Sequence, residues 1–315
     1  MTLPKRRLPG TAYFLSPACD RHEFRLKPTA QTKAAFAFTM VEAANRHGID
    51  IIAVMQMSSH YHAVVYDRLG TLSDFLRDFH AVMGRFGNWR DEAENTKFWS
   101  AEESEAVEIG DMDALVQCTA YTLANPTKDF IVERPEQWVG VMTPVDALGL
   151  GLGQVFHRPQ SFFDPKGMTS EGVMLCSDYP HEFEGLMPQA VFRERVKRRV
   201  EEYVAEARAE VAAGRRRFIG VKEAMRPSVW HSARRGASAD GRRGGQRRRV
   251  AAATQGRIQA MLEQLVAFRK AHRVALEALR RGFRGVLFPA GTWFAWRFYG
   301  ALRAPGVNRT LEAPS

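Results

Sequence analysis

Cysteine is scarce in this 315-residue chain: Cys19, Cys118 and Cys176 are the only three, and none lies near another in sequence. That usage argues against a disulfide framework and against the paired spacing of a zinc cluster, and it favours a reducing, cytoplasmic setting. Long apolar runs are missing as well. No stretch of about 18 uninterrupted apolar residues occurs, so no membrane span is expected. The start, Met1-Thr-Leu-Pro-Lys-Arg-Arg7, lacks the apolar run of a secretion signal. What remains is ordinary for a globular protein, with 45% hydrophobic and 25% charged residues.

Acidic residues are sparse in one region. Between 205 and 300 the chain carries 21 Lys and Arg against 6 Asp and Glu, whereas the rest of the chain holds 24 against 29. A neutral-to-acidic body with a strongly basic C-terminal third points to a polyanionic partner. Arginine far outnumbers lysine there, which suits bidentate phosphate contacts and stacking on exposed bases. A merely solvated basic surface is the competing explanation.

Hydrophobic periodicity divides the chain. Ala12 to Ser16 reads as a strand, and Thr32 to His47 reads as a helix stopped by Gly48. Two further strands, Ile49 to Met57 and His60 to Tyr66, flank Ser58-Ser59, which is short enough for a tight hairpin. Leu72, Phe75, Leu76, Phe79, Val82, Met83 and Phe86 predict an amphipathic helix over 71–89. Another helix carries Met112, Leu115, Val116 and Leu123 and should end at Asn125-Pro126. Alternating strands and helices around a hairpin imply a compact α+β fold with an antiparallel sheet.

From Gly140 to Pro180 the composition turns irregular, with short strands expected among glycines. Helices follow at 188–213 and 255–281. Between them, Arg234-Arg235, Arg242-Arg243 and Arg247-Arg248-Arg249 stand among Gly, Ala and Ser, a composition that cannot bury a core. The segment 286–299 is unusually aromatic. Docking of those aromatics into the core is favoured over an exposed stacking surface. We therefore divide the chain into 1–140, a connector at 141–187, and a basic, mainly helical region at 188–315.

His60-Tyr61-His62 is the most informative motif. In extended backbone, residues two apart share a face. The two imidazoles thus stand side by side while Tyr61 turns to the opposite, buried face. Paired imidazoles on one face are a natural start for a divalent-metal site. Two strand histidines at a solvated edge remain the plain alternative.

Past the pair come Phe98-Trp99, then Tyr121-Thr-Leu-Ala-Asn-Pro126, Ile131-Val-Glu-Arg-Pro135 and Trp138. This ordered set, over roughly 8–140, resembles the REP-associated tyrosine transposases, relatives of the insertion-sequence-200 family. The resemblance implies a ferredoxin-like antiparallel sheet with packed helices. It also implies cleavage and rejoining of single-stranded DNA through a tyrosine hydroxyl, with a 5′-phosphotyrosine intermediate. A Mg²⁺ or Mn²⁺ ion held by His60 and His62 would polarise the scissile phosphate. Single-stranded or hairpin DNA is the implied partner, and a homodimer is among the assemblies open to it.

The nucleophile is expected about five residues beyond Trp99, yet 100–108 contains no tyrosine, and Ser104 occupies the place. Glu108, one helical turn after Ser104, would supply a third oxygen ligand. Tyr121 reads as helix packing, Tyr13 and Tyr61 as core, and Tyr66 as too distant. Arg77 and Arg85 on the second helix, with Arg242, Arg243, Arg247, Arg248 and Arg249, are the DNA-contact candidates. A DNA-binding descendant that no longer cleaves is the alternative.

Overall fold

The computed structural model describes residues 3–94, 96–100, 106–163, 172–232, 249–305 and 311. Its elements in order are β1 (Thr11–Leu15), α1 (Ala30–His47), β2 (Ile49–Gln56), β3 (Tyr61–Asp67), α2 (Leu72–Arg90), β4 (Val107–Ile109) and α3 (Met112–Lys128). Then come β5 (Gly153–His157), α4 (Gln160–Phe163), β6 (Gly172–Cys176), α5 (Gln189–Ala212) and α6 (Val221–Ala224). The last are β7 (Val250–Ala251), α7 (Gln255–Arg280), β8 (Leu287–Phe288), α8 (Phe294–Tyr299) and β9 (Leu302–Arg303).

The main sheet has the order β2-β3-β1-β4-β7. Its first four strands pair antiparallel, and the chain runs β1-α1-β2-β3-α2-β4, so two interlocked β-α-β units form the ferredoxin-like arrangement. The short β7 joins the β4 edge in parallel, Glu108 opposite Val250. The fold is thus the expected α+β class.

Strand alternation sorts the core into two layers. Tyr13, Leu15, Tyr61, Ala63 and Val65 face α1 and α2, where they pack with Phe36, Phe75, Phe79 and Phe86. Ala12, Val64, Tyr66 and Ile109 face the other way, onto Leu115 and Leu123 of α3 and Phe192, Val196 and Val200 of α5. A register irregularity between Ile51 and Ala53 puts Ile52 and Ala53 together on the α3 side.

Local signals explain the ends of these helices. The Thr29 hydroxyl accepts from Thr32 N–H at the start of α1, and Gly48 closes it at φ 62°, a left-handed conformation that glycine adopts without strain. Asp111 caps α3 by accepting from Ala114 N–H at 2.7 Å. Contrary to expectation, α3 does not stop at Asn125. It runs through Pro126 to Lys128: Pro126 forgoes its own backbone donor, and the helix closes just beyond it, where Asp129 N–H donates to Asn125 O at 2.9 Å.

The exposed edge of β2 is covered by the segment expected to be a mere connector. Gln56 N–H donates to Val141 O, Thr143 N–H to Val54 O, and Asp178 N–H to Ile51 O. Asp178 and Ser177 side chains complete the edge at Ile51 N–H and Ile52 O. The β5–β6 hairpin then lies on α1 and buries Phe156 and Leu175 there.

The aromatic segment departs from expectation. Phe288 is buried, but Phe294, Phe298 and Tyr299 are not. The six-residue α8 is fixed by the Trp293 indole N–H, which donates to Asp74 at 2.6 Å, and by Ala295 beneath it. So short a helix turns its remaining rings outward.

Candidate functional site

The turn before β3 holds the His pair rigidly. Met57 N–H donates to His60 O across Ser58-Ser59, Cys19 N–H donates to Ser59 O at 2.7 Å, and Tyr61 N–H donates to Pro17 O. His60 therefore pairs with Ala18 at the strand's mouth. Its ring centroid lies 4.8 Å from that of His62, edge to face. His62 is buried, stacked on Phe14 at 5.4 Å.

Two further groups from α3 meet this pair, and a third stands beside the first of them. The Tyr121 ring meets His62 edge-on at 5.5 Å. One turn on, at i+4 on the same helical face, the Asn125 side chain lies in hydrogen-bonding reach of His60, yet its Oδ1 meets no donor in line. Lys128 places its Nζ 5.2 Å from the Tyr121 ring and 4.0 Å from the ring of Tyr203 on α5, over which Arg199 also stacks at 4.2 Å.

Both imidazoles are held neutral. Burial lowers His60 to about 4, aided by His22, while Asn125 opposes the shift. Burial, then His60, pushes His62 well below the ordinary range, with the Leu15 carbonyl opposing. His62 Nδ1 is buried without a partner, and the Ser59 hydroxyl lies 3.1 Å from His60 Nδ1. Neutral imidazoles keep their lone pairs for a cation at neutral pH. Among the described residues no group of three or more His, Cys, Asp or Glu could hold a metal. The donor set here is two imidazoles and an amide oxygen, and the unsatisfied atoms on His62 and Asn125 fit a divalent ion completing its shell with water or phosphate.

The structure places Glu108, Arg77 and Arg85 on the α1–α2 side of the sheet, away from the His pair. Ser104 lies outside the described residues, as do Arg242, Arg243, Arg247 and Arg248. Glu108 does not join the pair. Residues 107–109 are a strand and not the helix expected, and strand parity turns Glu108 to the α1–α2 side, opposite Tyr13. There both its oxygens accept from Arg6 Nη2, at 3.1 and 3.0 Å. Arg77 and Arg85 sit on α2, across the sheet from the His pair, and Arg77 is paired with Asp74 and Asp78. Arg249 flanks the β4 edge, its carbonyl accepting from Glu108 N–H.

Tyr121 and Asn125 are the residues that sequence reasoning did not assign to the site. The signal was present as Tyr-x-x-x-Asn, which sets both side chains on one helical face. Tyr66 shares the His face but packs on Phe183 at 5.0 Å. Tyr13 and Tyr61 are core, as expected.

Behind the sheet, Tyr61 hydrogen-bonds His80 Nε2 at 2.9 Å, and the Trp99 indole N–H donates to His80 O with the rings stacked at 4.3 Å. Burial lowers His80 to about 3 from an ordinary 6.5. Below pH 6.5 the unfolded chain binds a proton at this position that the fold refuses until about pH 3, so acid favours unfolding across that window. His80 keeps some solvent contact. We therefore expect urea unfolding to show about 1 kcal/mol less stability at pH 5 than at pH 7 from this group, and His80→Gln should reduce the slope by that share while the share of His60 and His62 remains.

No family model matches the sequence, and no curated protein matches it. Among solved structures, a REP-associated tyrosine transposase bound to a REP hairpin matches with a TM-score of 0.40 and 15% identity, over 49% of this chain and 88% of that one. Among the described residues no helix is long and apolar enough to cross a membrane.

Proposed function

We propose that this chain is a transposase-like enzyme that nicks and rejoins single-stranded DNA, with Tyr121 as the nucleophile. The observation that carries the reading is the meeting of His60, His62, Asn125 and Tyr121 on the α3 side of the sheet. The order of motifs along the chain supports it, and so does the basic C-terminal third.

In the cleavage step the Tyr121 phenol loses its proton, its oxygen bonds to the scissile phosphorus, and the bond from phosphorus to the 3′ oxygen breaks. The leaving oxygen takes a proton and departs as a free 3′-hydroxyl, while the 5′ end stays on the protein. Attack by another 3′-hydroxyl reverses these bonds and joins a new strand, so no nucleotide triphosphate is consumed. Lys128 beside the ring favours the negative charge that develops on the phenol. His60, His62 and Asn125 would hold Mn²⁺ or Mg²⁺, and the two nitrogen donors favour Mn²⁺ of the two. Such an ion supplies Lewis-acid polarisation of the phosphate.

The test is covalent capture. A labelled hairpin-forming single strand, incubated with Mn²⁺, should yield a denaturant-resistant adduct that maps to Tyr121, and duplex should not. Binding should weaken steeply with salt, as phosphate contacts require. Tight binding with no adduct on any strand would instead describe a relative that has lost cleavage.

A further inference from the structure

The C-terminal segment presents a surface that the proposed chemistry does not use. Phe283, Phe294, Phe298 and Tyr299 are 62, 57, 51 and 71% exposed, and Trp296 joins them. Rings left in water on this scale are unusual outside an interaction surface. From 280 to 305 the chain carries five arginines (Arg280, Arg281, Arg284, Arg297 and Arg303) and no acidic residue. The Arg303 guanidinium stacks on one face of Trp296 at 3.8 Å, so arginine and aromatic ring stand together here. Beside α8 an open groove of about 380 Å³ is lined by Phe283, Arg284, Val286, Tyr299 and Leu302.

We infer that α8 and this groove form a second binding platform for single-stranded nucleic acid, with bases stacked on Trp296 and Tyr299 and backbone phosphates on the flanking arginines. The excess of arginine over acidic residues selects a polyanion, although Arg297 is paired with Asp74, and flat rings among the arginines select one whose bases are unpaired. The platform lies on the α2 side, anchored at Asp74, so it would hold a stretch of strand apart from the nucleotides at Tyr121. The inference rests on the reading that the chain acts on single-stranded DNA.

The experiment compares a fluorescein-labelled oligothymidylate with an abasic strand of equal length, on the full chain carrying Trp296→Ala and Tyr299→Ala together. Affinity for oligothymidylate should fall about tenfold or more while the abasic strand binds as before, because only a base can stack. Trp296→Phe with Tyr299→Phe should restore most of the loss, which separates stacking from misfolding. Equal loss on both strands, or no loss, overturns the inference. So does loss of binding to phosphatidylserine vesicles instead of oligothymidylate, or dissociation of a dimer in sedimentation. Tyr121→Phe should leave this binding intact, so the platform and the nucleophile stand or fall separately.

Discussion

Tyr121→Phe is expected to abolish the covalent protein–DNA adduct, lowering its rate of formation at least about a thousandfold, while the affinity for uncleaved single strand stays near wild type. In the proposed reaction the oxygen removed is the atom that bonds phosphorus, so no neighbour would compensate, as is general when a nucleophile is deleted. The ring remains, and with it the edge contact to His62 and the packing on Phe14. Stability should change little for the same reason. Asn125→Ala should cost less, about ten- to a hundredfold, because it removes one donor and leaves two imidazoles. Asn125→Asp keeps an oxygen at the same place and should recover part of that loss at saturating Mn²⁺. Lys128→Ala should slow adduct formation without altering the Mn²⁺ requirement, since its Nζ lies beside the phenol. An adduct that persists undiminished in Tyr121→Phe, or that maps to the segment containing Ser104, would overturn the assignment.

Why the sequence yielded half of this site and hid the other half follows from periodicity. His60 and His62 lie on one strand, and a period of two places them together with no knowledge of the rest of the molecule. The same alternation sends Tyr61 to the core, where it meets His80. Tyr121 is different. Its nearness to His62 is made by α3 packing on the His-bearing face of the sheet, a tertiary fact that no spacing within 100–108 could reveal. The expected nucleophile position beyond Trp99, Ser104, lies outside the described residues, whereas Tyr-x-x-x-Asn sets two polar side chains on one helical face. The aromatic segment misled in the opposite direction. Its hydrophobicity suggested burial, but a helix of six residues has room to bury only Ala295 and to anchor Trp293.

Glu108 shows how one wrong element changes a residue's chemistry, and it carries the second large effect. As a helical residue it would have been an oxygen ligand. As the middle of β4 it becomes the partner of Arg6, with both side chains almost wholly buried. Burial already disfavours the Arg6 charge, and Arg6 Nε has no hydrogen-bond partner, so Glu108 is what neutralises this guanidinium. Glu108→Ala strands a buried cation and should lower the unfolding free energy by about 3–5 kcal/mol in urea titrations. Glu108→Gln retains an acceptor but no charge and should lose about 1–3 kcal/mol. Below the unfolding transition, both variants should form the Tyr121 adduct with the wild-type Mn²⁺ dependence, because Glu108 points away from the imidazoles. A raised Mn²⁺ requirement with little loss of stability would be the opposite pattern, and it would return Glu108 to the metal. The two sides of one sheet thus part these residues: parity sends the histidines to the α3 face beside Tyr121 and the carboxylate to the α1–α2 face beside Arg6.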